Sequence, residues 1–218
     1  MLASFAFTSN AQVLIGGGAV VDQGLPVEPY FGYTYSQSIY LASEINTSGT
    51  ITGVSFYANP GTSITNSNDW TVYVGHTTKA NFTSTTDWET GLTEVFTGIV
   101  TSVGDVVTIT FTTPFAYNGV DNLIVAVDEN ATSYNGSGDD FLCTATGTDR
   151  ALVYRSDVTN PDPLSPPTAS FARQAYPNIE FAGIVQSCVS PTGLAVSNLT
   201  ATTADVTWTA GNGSQLGW

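Results

Sequence analysis

The stretch Asp105-Val-Val-Thr-Ile-Thr-Phe-Thr112 places an apolar side chain at every second position. Successive side chains of a β-strand point to opposite faces. The two faces would therefore carry Val107, Ile109 and Phe111 on one side and Thr108, Thr110 and Thr112 on the other. This alternation predicts a strand with one buried and one exposed face. Residues 122–127 (NLIVAV) are apolar at both parities after Asn122, which predicts a central strand covered on both sides.

Further segments bounded by Gly, Pro, Asn or Asp predict strands at residues 37–45, 51–58, 69–77, 95–101, 151–155 and 178–183. Strong helix formers are scarce and no helical period of any length is present. A capping box over residues 84–87 predicts one short helical turn. Parallel α/β folds are excluded because their crossovers need helices. We therefore expect an all-β chain folded as a jelly-roll-like antiparallel β-sandwich.

The charge balance is strongly acidic. Eighteen Asp and Glu residues face four basic residues, for a formal net charge of −14; the basic residues are Lys79, Arg150, Arg155 and Arg173. Nucleic acid is excluded as a partner because binding it requires Lys and Arg to neutralise phosphates. An anionic membrane surface is disfavoured for the same reason, and no segment is long and apolar enough to span a bilayer. Such acidity suits solubility outside the cell.

The first eleven residues, MLASFAFTSNA, resemble the end of an export signal, with Ser9 and Ala11 at the −3 and −1 positions before Gln12. The basic region of a complete signal is lacking, so an ordinary chain start is the alternative. We expect the chain to act in a secreted or cell-surface location. Its two cysteines, Cys143 and Cys188, are too few for a disulfide scaffold. Export would permit them to pair, and unpaired thiols are the alternative.

No catalytic residue is predicted. Nucleophilic catalysis by Ser-His or Cys-His needs a histidine, and His76 is the only one. It shares the parity of Trp70 and Val74, which predicts a packed ring. The acid pairs Asp128–Glu129 and Asp87–Glu89 have the composition of a glycosidase site. Acids at strand ends of an acidic protein are more often solvated, so we expect a chain that is not an enzyme.

A structural calcium site is one interpretation of the acids at residues 128–140. Asp128 with Glu129, and Asp139 with Asp140, bracket a Gly- and Asn-rich loop whose two ends could converge on one ion. The spacing matches no EF-hand loop. A solvated acidic loop is the alternative, and no other cofactor is expected.

The aromatic residues give the candidates for ligand binding. Trp88 lies in a polar loop, and exposed rings of this kind stack on sugars or fill partner pockets. A ring folded back on the sheet is the alternative for Trp88. Tyr33 and Tyr35 share one face of an aromatic-rich stretch, which is either a ligand platform or core. Long loops on a rigid sandwich usually carry recognition. The longer loops are predicted at residues 59–68, 78–91, 129–140 and 159–170.

The tail, PTGLAVSNLTATTADVTWTAG, resembles the start of the fibronectin type III modules of large exported proteins from Bacteroidota-like bacteria. Its residues at the core positions of such a module are Leu194, Val196, Leu199, Ala204, Val206 and Trp208. A complete module of this Ig-like type needs about 90 to 100 residues. We therefore expect residues 1–11 to be an export-signal remnant, residues 12–185 a β-sandwich domain, and residues 186–218 a linker with the first strands of an incomplete module.

The segments SNDWTVYVGHTTKANF, YNGVDNLIVAVDEN and SDVTNPDPLSPPTAS resemble an uncharacterised β-sandwich that precedes such modules. The resemblance implies type IX secretion and a binding or adhesion function towards a glycan or an extracellular protein, through loops at one end of the sandwich. The alternative is a targeting or spacer domain of a secreted hydrolase whose catalytic domain lies outside these residues. Either way, downstream domains of the same full-length protein are expected neighbours.

Overall fold

The computed structural model describes residues 12–185 and 192–209. The described residues belong to two compact units that divide after Val185. The proposed export-signal remnant, residues 1–11, lies outside the described residues, and so does Cys188. Cys143 is buried, with no disulfide to any described residue.

Over residues 12–185 the larger unit is built almost entirely from short strands, with one single-turn helix, α1 (Ala42–Ile45). Its strands in chain order are β1 (Val13–Ile15), β2 (Tyr33–Tyr40), β3 (Gly49–Tyr57), β4 (Asp69–Thr77), β5 (Thr93–Ile99), β6 (Ser102–Val103), β7 (Val106–Tyr117), β8 (Asn122–Glu129), β9 (Cys143–Ala145), β10 (Ala151–Ser156), β11 (Phe171–Arg173), β12 (Ala175–Pro177) and β13 (Ile179–Ala182). Within the described ranges no helix could cross a bilayer, since none combines the necessary length and apolarity.

Two antiparallel sheets form a β-sandwich. One has the strand order β1-β13-β3-β7-β6, and the other β11-β10-β2-β8-β4-β5. The first and last strands of the larger unit, β1 and β13, are paired with each other, and between them the chain passes repeatedly from one sheet to the other. The orders β1-β13-β3-β7 and β2-β8-β4-β5 are those of a jelly roll. The predicted jelly-roll-like sandwich is therefore confirmed. Strands β9 and β12 pair with each other in a small separate sheet.

The core between the two sheets follows the alternation in β7. Val107, Ile109 and Phe111 are buried, whereas the threonines between them are exposed. Apolar residues of β3, β8 and β13 join them from both sheets. Trp70 at the start of β4 is fully buried and donates its Nε1–H to the Ser67 carbonyl at 2.7 Å. Each large apolar side chain buried here contributes about 1.5–3 kcal/mol.

Strand β8 is covered on both sides, as its sequence predicts. Leu123, Val125 and Val127 face the sandwich core. Ile124 and Ala126 face outward into a second apolar layer. Loop residues close that layer over the six-stranded sheet; they are Phe82, Trp88 and Ala169.

The helical turn lies at a different place from the predicted one. Strand β2 ends at Tyr40 and the chain turns into α1, where the Leu41 N–H donates to Glu44 Oε2 at 2.8 Å. The prediction that the strand continues to residue 45 is therefore wrong. The reason is that the Glu44 carboxylate caps the helical turn and also pairs with Arg150 at 2.7 Å, which stabilises α1 in place of an extended strand. Residues 84–87 form a hydrogen-bonded turn and not a helix, with the Asp87 N–H donating to the Ser84 carbonyl at 3.2 Å.

The described part of the smaller unit, residues 192–209, forms an antiparallel hairpin of β14 (Thr192–Ser197) and β15 (Asp205–Thr209). Val196 pairs with Val206, and Trp208 follows two positions along on the same face. These three side chains are about half exposed or more. A two-stranded hairpin has no second layer of its own in which to bury them.

Gly53 tests the packing between β3 and β7. It lies at an irregularity of their pairing, and a Cβ atom there would sit 2.5 Å from the Ile109 carbonyl oxygen. Gly53→Ala should lower the free energy of unfolding by about 1–3 kcal/mol, because the backbone must move to admit the methyl group. Gly138→Ala is the matched control, since its Cβ meets no atom within 4 Å. Equal denaturation midpoints for the two variants would contradict the close β3–β7 approach.

Candidate functional site

One end of the sandwich gathers most of the long loops. At this end β2 and β4 begin and β8 ends, as the pairing of Glu129 with both Thr34 and Trp70 shows. Strand β10 also ends here, with Ser156 opposite Tyr33. We call this end the loop end; it consists of residues 28–33, 62–68, 130–139 and 157–163.

Hydrogen bonds fix the segments of the loop end to one another. The Asn135 N–H donates to the Pro29 carbonyl at 2.6 Å, and Ser67 Oγ donates to the same carbonyl at 3.0 Å. The Gly32 N–H donates to Asp157 Oδ1 at 3.2 Å. Asn160 Nδ2 donates to Asn130 Oδ1 at 2.8 Å. The loops therefore form one connected surface.

Two aromatic rings stand out from this surface. Among the aromatic side chains described in residues 12–185, the exposed ones are Tyr30, at 48%, and Tyr134, at 57%. They contact each other edge to face, with ring centroids 6.1 Å apart and an interplanar angle of 72°. The Tyr134 carbonyl also accepts a hydrogen bond from Asn66 Nδ2 at 3.1 Å, which holds its loop in place. We call Tyr30 and Tyr134 the ring pair.

Trp88 does not belong to an exposed surface, so its predicted role as an exposed contact is wrong. Only 8% of the residue is accessible. Its Nε1–H donates to the Pro167 carbonyl at 2.8 Å, and its ring lies 5.1 Å from that of Tyr35. The physical reason is that the outer face of the six-stranded sheet is apolar and needs a cover, which the loop of Trp88 supplies.

Tyr35 is likewise part of this outer layer. It is fully buried, and its hydroxyl oxygen accepts a hydrogen bond from Gln37 Nε2 at 2.9 Å. The interpretation of Tyr35 as a ligand platform is therefore wrong, and its alternative as core is confirmed. Tyr33 is half-buried at the first position of β2, within the loop end. It stays a candidate for ligand contact beside the ring pair.

The sequence contains a pattern that predicts the exposure of the ring pair. Tyr134 lies in a Ser-, Asn- and Gly-rich loop, and Tyr30 follows Pro29 just before the alternation of β2 begins. The same reasoning that selected Trp88, an aromatic residue in a polar loop, applies to Tyr134. The sequence alone does not tell which of these rings folds back on a sheet.

The four acids predicted to bind calcium do not converge. Asp128 and Glu129 are consecutive on β8, so their side chains point to opposite faces of the sheet. Asp139 accepts the N–H groups of Ser63 and Gly136, each at 2.7 Å, and Asp140 accepts the Asp22 N–H at 3.3 Å. No group of three or more potential metal ligands occurs within the described residues. The four predicted ligands therefore do not come together at one point of the described structure, and calcium binding stays a prediction.

The same geometry bears on glycosidase chemistry. Two carboxyl groups must flank one glycosidic bond to hydrolyse it. Asp128 faces the outer layer of the sheet and Glu129 faces the sandwich core, so this pair cannot act together on one bond. His76 is packed as predicted, with its ring centroid 4.9 Å from that of Phe115 and its Nε2 accepting the Asn118 N–H at 3.1 Å.

Asp128 and Glu129 are instead buried carboxyl groups beneath the loop end. Asp128 is 4% exposed and Glu129 is fully buried. Asp128 Oδ1 and Glu129 Oε2 have no hydrogen-bond partner within the described residues, although Glu129 Oε1 accepts the Ala131 N–H at 2.8 Å. Burial raises the pKa of Asp128 to about 7 and that of Glu129 to about 8. Burial and the carboxylates of Asp22 and Glu28 also raise the pKa of Asp140.

The cation nearest the ring pair is Arg155. Its Nη1 pairs with Glu28 Oε2 at 3.1 Å, and its guanidinium carbon lies 4.3 Å from the ring centroid of Phe31. Phe31 in turn contacts Tyr30 edge to face at 5.7 Å. The loop end therefore combines exposed rings, hydrogen-bonding amides and one cation.

Comparison with known proteins finds no relative. No protein-family model matches the sequence, and neither a curated protein nor a solved structure is similar to the chain.

The buried carboxyl groups predict that stability falls as the pH rises from about 4 to about 8. Unfolded Asp and Glu release their protons near pH 4, whereas folded Asp128 and Glu129 keep theirs to about pH 7 and about pH 8. In this interval the folded state binds more protons, so raising the pH favours unfolding. We expect a higher Tm at about pH 5 than at about pH 8.5.

Substitution isolates the cause of this pH dependence. The double variant Asp128→Asn, Glu129→Gln should show a flatter dependence of Tm on pH, because its buried groups no longer titrate. Glu94→Gln, which removes an exposed carboxylate, should keep the wild-type dependence. A Tm that rises steadily from pH 5 to pH 8.5 in the wild type would contradict the assignment.

Proposed function

We propose that this chain is a non-catalytic binding or adhesion module of an exported bacterial protein and that it holds a carbohydrate at the loop end. The ring pair is the observation that carries the proposal. Aromatic rings bury large apolar faces while the hydroxyl of tyrosine keeps a polar partner. That combination suits sugars, whose rings have apolar faces and polar edges.

Contact between the two rings distinguishes them from ordinary surface residues. Single exposed apolar side chains are normal and need no explanation. Tyr30 and Tyr134 come from segments far apart in the chain and are held 6.1 Å apart by hydrogen-bonded loops. A binding surface that is already ordered loses less conformational entropy when a ligand arrives.

Polar groups around the ring pair suit a ligand rich in hydroxyls. Asp157 and Asn160 are exposed at the loop end, and Asn130 lies beside Asn160. Amide and carboxylate groups of this kind accept and donate hydrogen bonds to sugar hydroxyls and fix their orientation. Tyr33, half-buried in the same loop end, supplies a further ring.

A targeting or spacer domain of a secreted hydrolase is the second candidate. The hairpin of β14 and β15 supports it, because its sequence resembles the start of a fibronectin type III module. In such a protein the loop end would bring a catalytic domain to its polysaccharide. We propose an extracellular location for either candidate, supported by the formal charge of −14 and the sequence of residues 1–11.

A glycan array with the full chain tests the ring pair directly. We expect binding to at least one glycan class. The double variant Tyr30→Ala, Tyr134→Ala should weaken it at least about tenfold, corresponding to about 1.4 kcal/mol, because both stacking faces are lost. Tyr30→Phe and Tyr134→Phe should retain most of the binding, since the rings remain.

Val120→Ala is the control. Val120 is 77% exposed, but it lies just before β8, at the opposite end of that strand from the loop end. Its removal should leave glycan binding unchanged. An array on which no glycan is retained would contradict carbohydrate recognition. Retained binding by the double alanine variant would show that the ring pair is not the contact surface.

A further inference from the structure

A continuous row of rings and guanidinium groups leads from the ring pair to the edge of the six-stranded sheet. We call it the ring–arginine row; its members are Tyr134, Tyr30, Phe31, Arg155, Phe171 and Arg173. The guanidinium carbon of Arg155 lies 4.3 Å from the Phe31 ring centroid and 4.8 Å from that of Phe171. Arg173 lies 4.3 Å from the same Phe171 ring.

The row holds more positive than negative charge. Among the described residues, its two guanidinium groups have one carboxylate within 4.0 Å, that of Glu28, which pairs with Arg155 and also acts on Arg173 through its charge. The carboxylate of Asp157 lies beside the row and accepts the Gly32 N–H. Arg173 donates its Nε–H to the Gln23 carbonyl at 2.9 Å, but no carboxylate lies within 4.0 Å of it among the described residues, which include all eighteen acids of the chain.

The other cations are already paired. Lys79 lies 3.0 Å from Asp87 and 3.7 Å from Glu89, and Arg150 lies 2.7 Å from Glu44. Arg173 is thus the one basic residue without a carboxylate partner in the described part of a chain whose net charge is −14. An unpaired cation in so acidic a protein is unusual, because eighteen carboxylates compete for four cations.

The surroundings of Arg173 make an incoming anion favourable. It is half-buried, and burial together with the positive charge of Arg155 lowers the pKa of Arg173. The Glu28 carboxylate offsets part of these two effects, and an anion bound at the N–H groups of Arg173 would offset more of them. The Phe171 ring contacts both guanidinium groups. Among the described residues, Glu28 engages Nη1 of Arg155 and the Gln23 carbonyl engages Nε of Arg173, and the remaining N–H groups are available to a ligand. Those groups match the two oxygens of a carboxylate.

We propose that the ring–arginine row binds an acidic saccharide built from uronic acid units, with a sugar ring on Tyr30 and Tyr134 and a carboxylate on Arg155 and Arg173. This inference rests on the proposed carbohydrate recognition and specifies its ligand class. Arg155 is one ring away from Tyr30, so a saccharide chain lying on the ring pair continues towards the cations. Neutral sugars would use the ring pair alone.

Calorimetry with two forms of one oligosaccharide tests this assignment. The probes are an oligogalacturonate and the same chain with every carboxyl group methyl-esterified, which removes the charge and keeps the sugars. The full chain should bind the acidic form at least about tenfold more tightly, as expected for a charge-assisted pair. Arg173→Gln should abolish this preference without changing the affinity for the ester. Arg173→Lys should retain part of it.

Control variants separate this inference from the proposed function. Lys79→Gln, which removes a paired cation beyond the opposite end of β4, should keep the full preference. Equal binding of both forms, lost on Tyr30→Ala, would overturn the acidic ligand and leave carbohydrate recognition intact. Failure of both forms to bind, with other glycans retained on the array, would also overturn it. Failure of every glycan to bind would contradict the proposed function itself.

Discussion

The burial of β8 on both of its faces is the constraint on which the larger unit depends. Five successive residues, 123–127, are apolar and inaccessible, and a strand alternates its side chains between two faces. One sheet facing another can cover only one of these faces. The second face therefore requires a layer made of loops. The long connection between β4 and β5 and the one between β10 and β11 supply it.

This requirement decides which loops are free to bind a ligand. Trp88 and Phe82 are used as cover, and the proline-rich stretch around Pro167 anchors Trp88 through its carbonyl. The loops of the loop end are tied to one another by hydrogen bonds. Tyr30 and Tyr134 lie there, above the buried carboxyl groups with which β8 ends. The buried aromatic residues Trp88 and Phe82 thus cover the face of this sheet, whereas the exposed ones, Tyr30 and Tyr134, lie at its end.

The sequence predicts most of the sandwich because its signals are local. The alternation around Ile109, the double-sided apolarity of β8 and the inward parity of Trp70 each follow from a few consecutive residues. The opposite orientation of Asp128 and Glu129 follows from their adjacency on a strand, and it separates two of the four predicted calcium ligands. Other features depend on contacts between distant segments. The capping of α1 by Glu44 with Arg150, and the choice of Trp88 over Tyr134 as the covering ring, are of this kind.

Native-state hydrogen exchange measures the double-sided burial of β8 most directly. If both layers are present, the amides of residues 123–127 should be among the slowest to exchange, at a free energy close to that of global unfolding. Amides of the loop end around Tyr134 should exchange much faster, because they lie in exposed loops. Exchange of the β8 amides at the rate of those loop amides would contradict a sheet covered on both faces.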